Sequence, residues 1–292
     1  MQSTKDLLNN YDFGSTYRVD RWWSQPIGVF IGLSLFVIYG TARLLYPIFN
    51  PSAPGIEYGS LLSPFFSPLL FSVSSESHHA LFGMFPTFWP ELLRSPAILI
   101  LWAPLGLRLT CYYYRKAYYR AFLSDPPACA VSEGRRYKYA GETRVFLFQN
   151  LHRYFVYLGI IFIFVLTFDA IRALFWHAPP GAPFWAGDVE LHVGTLILGL
   201  NALLLSGYTF GCHSLRYLVG GNSRCFSCVS NPENKGKDPT ISKRYTLWRF
   251  VSSLNVNHST WAWFSLFMVA FTDFYVWMVS IGVWPDIILL KL

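Results

Sequence analysis

The sequence predicts an all-α integral membrane protein, a bundle of about five transmembrane helices with its N-terminus in the cytoplasm. Three observations carry this. Charged residues fill 13% of the 292 positions and hydrophobic residues 53%, against roughly 25% charged in average soluble chains. The apolar residues are grouped in runs that reach the about 20 residues a helix needs to cross a bilayer. Basic residues alternate sharply between the connecting segments, which sets an orientation.

Residues 1–26 form a polar cytoplasmic segment. Lys5, Asp6, Asp12, Asp20 and Arg21 leave no apolar core for a cleavable signal. The segment ends in YRVDRWWSQP, where Trp22 and Trp23 beside Arg18 and Arg21 read as an interfacial belt. Residues 27–292 form the transmembrane domain. A first span covers about 27–47. The following stretch, 48–93, has no Lys or Arg, and Pro64, Pro68, Pro86 and Pro90 break its apolar patches at 61–71 and 80–89. Those patches are expected to be interfacial or re-entrant rather than spanning.

A second span is expected over 95–114, a third over 145–175, a fourth over 192–210 and a fifth over 259–284. The connection 115–146 carries seven basic and three acidic residues, and 213–249 carries seven and two. The connection 176–191 has no Lys or Arg. Both basic connections and the N-terminus are therefore assigned to the cytoplasm, and five spans put the C-terminus outside. The net charge of +7 belongs to this topology and gives no reason to expect nucleic acid.

On that topology the thiols and several imidazoles sort to one face. Cys111 ends the second span, Cys129 lies in the next loop and His152 opens the third span. Cys212 and His213 end the fourth span, Cys225 and Cys228 follow, and His258 opens the fifth. His78, His79, His177 and His192 fall on the other side. Buried cysteine is usually an inert small hydrophobe, and a single CxxC is a weak metal signal. The repeated sidedness nevertheless points to a metal or cluster site. A mixed Cys/His set suits a Rieske-type 2Fe–2S centre; histidine alone would suit haem b, and zinc would give a structural knot.

Ionisable residues inside spans are costly. Arg108, Cys111 and Arg115 at i, i+3 and i+7 are expected on one helix face. Asp169 and Arg172 at i, i+3 are expected to pair locally. Asp273 has no local partner and is a candidate proton-handling group. No Ser-His-Asp set, phosphate-binding glycine loop or HExxH is present, so hydrolysis and nucleotide chemistry are excluded as readings.

Several blocks together carry a resemblance. They are YRVDRWW, LWAPLGLRLTCYYYRKAYYRAF with PPACAV and YAGETR, NLHRYF, GCHSLRYLVGG, FVSSLNVNHSTWAW and TDFYVW. They make the chain similar, over nearly its whole length, to the membrane-anchor subunit of the succinate dehydrogenases of actinobacteria and related bacteria. The resemblance implies docking of a flavoprotein subunit and an iron–sulfur subunit, an embedded Rieske-type 2Fe–2S centre in place of haem b, and reduction of a quinone (menaquinone or ubiquinone). It implies a trimer of complexes in the bacterial inner membrane, bathed in lipid, with a possible small extra membrane subunit.

Carried onto this sequence, the matching blocks hold Cys111, Cys129, His152, Cys212, His213 and His258 as candidate metal ligands. Cys225 and Cys228 stand outside the family pattern. Arg21, Trp22, Trp23, Arg115 and Tyr119 are the candidates for docking or quinone contact. Two alternatives stay open: a haem b anchor using two of His152, His213 and His258, and a zinc-knotted, non-redox membrane scaffold.

Overall fold

The computed structural model describes residues 13–74, 77–124, 126–133, 150–179, 182–221 and 239–291, with backbone alone for 239–242. Cys225 and Cys228 lie outside the described residues. The chain divides into two compact units, one of residues 1–39 and 106–152, the other of 40–105 and 153–292.

Four helices among the described residues are long and apolar enough to cross a membrane: α1 (Ser24–Phe49), α5 (His152–Arg172), α6 (Val193–Phe210) and α9 (His258–Ser280). They match four of the five expected spans. The expected second span, 95–114, is broken instead into α2 (Pro96–Ile100), α3 (Trp102–Leu109) and α4 (Tyr112–Tyr118), followed by a π-helical turn, Tyr119–Leu123. The chemistry of the breaks is local. Pro104 has no N–H and its ring crowds the carbonyl four residues back, at Ile100, where α2 stops. Thr110 turns its hydroxyl back onto the Gly106 carbonyl at 2.6 Å, which competes with continuation of the helix.

In the first unit the N-terminal strand of chain is tied to residues 129–132. Ser132 N–H donates to the Ser15 carbonyl at 3.0 Å, Thr16 Oγ1 to the Ala130 carbonyl at 2.6 Å, and Arg18 Nη1 to the Cys129 carbonyl at 2.8 Å.

In the second unit α6 and α9 run antiparallel. A Cβ on Gly207 would stand 2.6 Å from the Trp261 ring, and one on Gly194 would stand 2.4 Å from Leu61 and 3.2 Å from Tyr275. Small residues permit such close helix approach in membranes. Of the two apolar patches in 48–93, expected to be interfacial or re-entrant, the first is interior, with Leu61, Ser63, Phe66 and Ser67 fully buried, whereas Leu81, Phe82, Met84 and Phe88 of the second are exposed. The segment opens with a two-residue hairpin, β1 (Glu57–Tyr58) and β2 (Leu61–Leu62), and ends in a 3₁₀ turn, Glu91–Leu93.

The stretch 213–249, read from sequence as a polar connection, contains α7 (His213–Gly220) and most of α8 (Pro239–Val256). They are held together by polar side chains: Arg216 Nε donates to Ser252 Oγ at 3.0 Å, and Asn255 Nδ2 to the Gly211 carbonyl at 2.7 Å. A three-stranded antiparallel sheet closes the unit, in the order β3 (Phe175–Trp176), β4 (Asp188–His192) and β5 (Ile288–Lys291). The last helix therefore stops at Ser280 rather than at 284; Gly282, at φ +75°, turns the chain back toward the sheet.

Candidate cofactor and docking site

The first unit holds Cys111, Cys129 and His152. Cys111 stands in the break between α3 and α4, extended at φ −65°, ψ 129°, as the residue before the first turn of α4. Arg108, Cys111 and Arg115 therefore do not share one helix face, because no helix runs through Cys111. Cys111 and His152 are buried, and Cys129 is exposed. The His152 ring meets Thr110 Oγ1 through Nδ1 at 2.9 Å, which fixes the ring orientation.

The docking candidates belong to the same unit. Trp23 is 48% exposed, Arg21 is exposed and Trp22 is half-buried. The Arg115 guanidinium lies 4.9 Å from the centroid of the Tyr112 ring, and half-buried Tyr119 opens the π-helical turn. Arg108 Nη1 donates to the Tyr114 hydroxyl at 2.6 Å, and the Tyr118 hydroxyl donates to the Arg108 carbonyl at 3.3 Å. Arg108 is thus held by tyrosines in this unit.

The second unit brings together Cys212, His213 and His258. Cys212 sits between α6 and α7, extended at φ −67°, ψ 140°, and its sulfur accepts the Ser214 N–H at 3.4 Å. The His213 and His258 rings stand 5.9 Å apart by centroid, at 69°. His258 is buried and stacks on Tyr208 at 5.1 Å. His213 is exposed as a residue, but partial burial of its ring, with Arg216 adding to it, pushes the imidazole below its usual pKa. Its neutral form, the form that binds metals, is favoured.

In the second unit a buried thiol beside two imidazole rings, one of them buried and stacked, is donor chemistry of the mixed thiolate and imidazole kind. In the first unit Cys111 and His152 are buried, and the His152 ring is oriented by a hydroxyl.

Two other readings gain partners distant in sequence. Asp169 and Arg172 attract each other as expected, and each also has a distant partner: Asp169 accepts a hydrogen bond from Ser67 Oγ, and Arg172 Nη2 donates to the His78 carbonyl at 2.7 Å. Asp273 does have a partner. Arg43 Nε donates to its carboxylate at 2.7 Å, with both side chains buried, and Ser63 Oγ donates to the same carboxylate. That holds Asp273 as a fixed counter-charge. Arg43 itself escaped notice in the sequence. Its signal is the one cation inside the run IYGTARLLYP, where a charge implies a buried partner.

The family model for the actinobacterial succinate dehydrogenase subunit SdhC matches residues 24–282. The chain belongs to that family. This SdhC-family chain is also similar to a chain of the Mycobacterium smegmatis Sdh1 complex in the apo form, at 38% identity and a TM-score of 0.75. The match covers 93% of this chain and 92% of that one. A search of curated proteins finds no match. It is a membrane subunit of the actinobacterial succinate dehydrogenase type, a multi-pass protein of the bacterial inner membrane and part of an oxidoreductase.

Proposed function

We propose that this subunit anchors the flavoprotein and iron–sulfur subunits of a succinate dehydrogenase and passes their electrons to a quinone through an embedded Rieske-type 2Fe–2S centre. The observation that carries the reading is the pairing of the His213 and His258 rings next to Cys212, at the breaks that end α6 and open α9. Two imidazoles are what distinguish such a centre from an all-thiolate one.

When bound, the group would supply a one-electron carrier between the soluble subunits and quinone. The protein's own part is to present imidazoles and thiols and fix their orientation. The proposed ligands are among Cys111, Cys129, His152, Cys212, His213 and His258. The basic and aromatic set Arg21, Trp22, Trp23, Arg115 and Tyr119 is proposed to meet the soluble subunits or the quinone headgroup. The charge asymmetry supports placing these residues and the N-terminus on the cytoplasmic face. Assembly as a trimer, with a possible small extra membrane subunit, completes the reading.

Low-temperature EPR with an optical spectrum of the reduced, detergent-purified complex tests it. A Rieske-like signal without haem bands, lost in His213→Ala, supports the embedded centre. Haem bands without that signal would replace the centre with haem b. A colourless preparation lacking the other subunits would overturn the anchor reading as well.

A further inference from the structure

On one face of the three-stranded sheet, well separated in sequence from the candidate redox ligands, ligand-type side chains converge. Strand β4 reads Asp-Val-Glu-Leu-His. Alternation along a strand puts Asp188, Glu190 and His192 on one face. The β3–β4 register pairs Asp188 with Trp176, which brings the next residue, His177, beside that face. One ligand atom from each of His177, Asp188 and Glu190 lies within 4.8 Å of the others. His177 Nδ1 is 3.8 Å from Glu190 Oε1.

The surrounding charges separate this trio from an ordinary acidic patch. Glu190 is fully buried, and His177 and Asp188 are exposed at its rim. Its other oxygen, Oε2, is taken by His192 Nε2 at 3.0 Å, and His192 Nδ1 faces Asp286 at 3.0 Å. Asp286 is in turn held by the Tyr275 hydroxyl at 2.8 Å and the Gly194 N–H at 2.9 Å. His192 also stacks on Trp176 at 3.9 Å. Oε1 is the oxygen left for a cation, and one already marks the position. Lys291 Nζ, from the neighbouring strand β5, reaches Oε1 at 2.6 Å. Its side chain is 62% exposed, so it can swing away without unpacking the sheet.

We propose that His177, Asp188 and Glu190 form a binding site for a divalent cation of the zinc class, in which the Lys291 ammonium is a tethered competitor. One imidazole nitrogen and two carboxylate oxygens are a donor set of the kind that zinc accepts with water in the fourth position. Donors about 2.0–2.1 Å from one ion stand roughly 3.3 Å apart at tetrahedral angles. The 3.8 Å separation closes to that by rotation of the exposed His177 side chain. His192 and Asp286 hold the Glu190 carboxylate in place, as partners behind a metal ligand do. The site is independent of the redox reading: no candidate ligand of that centre takes part.

The test is zinc retention. The purified complex is stripped with a chelator that leaves its other metals, incubated with zinc chloride, desalted, and assayed by mass spectrometry for zinc per chain. One further zinc per chain is expected in the natural protein. It is expected to be lost in His177→Ala and in Asp188→Asn, exposed positions where substitution spares the fold. Lys291→Met removes the competitor and is expected to tighten binding by about tenfold, or 1.4 kcal/mol. No added zinc in the natural protein overturns the site, even if Lys291→Met binds. Equal retention in the His177 and Asp188 variants means an adventitious ion only, and also overturns it.

Discussion

Cys111 and Cys212 occupy equivalent backbone positions. Each stands extended between two helices, and each offers its carbonyl to the N–H of an arginine four residues on, Arg115 at 2.9 Å and Arg216 at 3.0 Å. Both thiols are buried. In both cases a helix is interrupted to present sulfur, a costly arrangement inside an apolar segment, where free backbone groups need partners.

That equivalence sets the first prediction. Cys111→Ser and Cys212→Ser are expected to abolish the proposed centre's EPR signal, and Cys129→Ser to keep it, because Cys129 is exposed. A signal that survives both substitutions at the helix breaks would remove these thiols from the ligand set.

The buried pair of Arg43 and Asp273 sets the second. Asp273→Ala leaves a buried guanidinium without its counter-charge and is expected to cost about 3–5 kcal/mol. The double change Arg43→Leu with Asp273→Leu is expected to recover most of that loss. Thermal unfolding of the complex in detergent measures both, and a double variant no more stable than Asp273→Ala would refute the pairing as the source.

Helix approach sets the third. In Gly207→Ala the new methyl meets the Trp261 ring at 2.6 Å, whereas nothing lies within 4 Å of a Cβ on Gly199 in the same helix. Gly207→Ala is expected to destabilise by about 1–3 kcal/mol. Gly199→Ala is expected to be neutral or slightly stabilising, since alanine favours helix. Equal melting temperatures for the two would count against the close packing of α6 on α9.

The fourth concerns acid. Burial, with Arg172 adding to it, holds the His79 imidazole down at about 4, against 6.5 when free. The stability it contributes is therefore complete above about 6.5 and is lost as pH falls toward about 4. Burial raises Glu57, whose Oε2 lies 4.0 Å from His79 Nε2, so its contribution has the opposite sense and fades as pH rises. His79→Gln is expected to flatten the decline in melting temperature between pH 6.5 and 4. An unchanged decline would assign the acid sensitivity elsewhere.

What the sequence revealed was whatever depends on composition and period. Long apolar runs announced α1, α5, α6 and α9, because a bilayer selects for length and hydropathy. The nearness of His213 and His258, beside Cys212, was also legible, since two neighbouring helix ends bring them together. What escaped depends on contacts distant in sequence. Ser63 and Phe66 looked like part of an interfacial loop, and nothing local says that they meet Asp273 and Arg43 respectively. The break at Cys111 was hidden because Pro104 and Thr110 act through backbone bonds, while hydropathy passes smoothly across them. Glu190 looked like one acid in a short connection until β5 returned to pair with it.

The Arg43–Asp273 pair also bears on biosynthesis. The two residues are 230 positions apart, so the arginine leaves the ribosome and enters the bilayer long before its carboxylate exists. During that interval the first helix is a poor resident of lipid. A nascent chain cut short before α9 would keep an arginine in its first helix with no carboxylate to pair it.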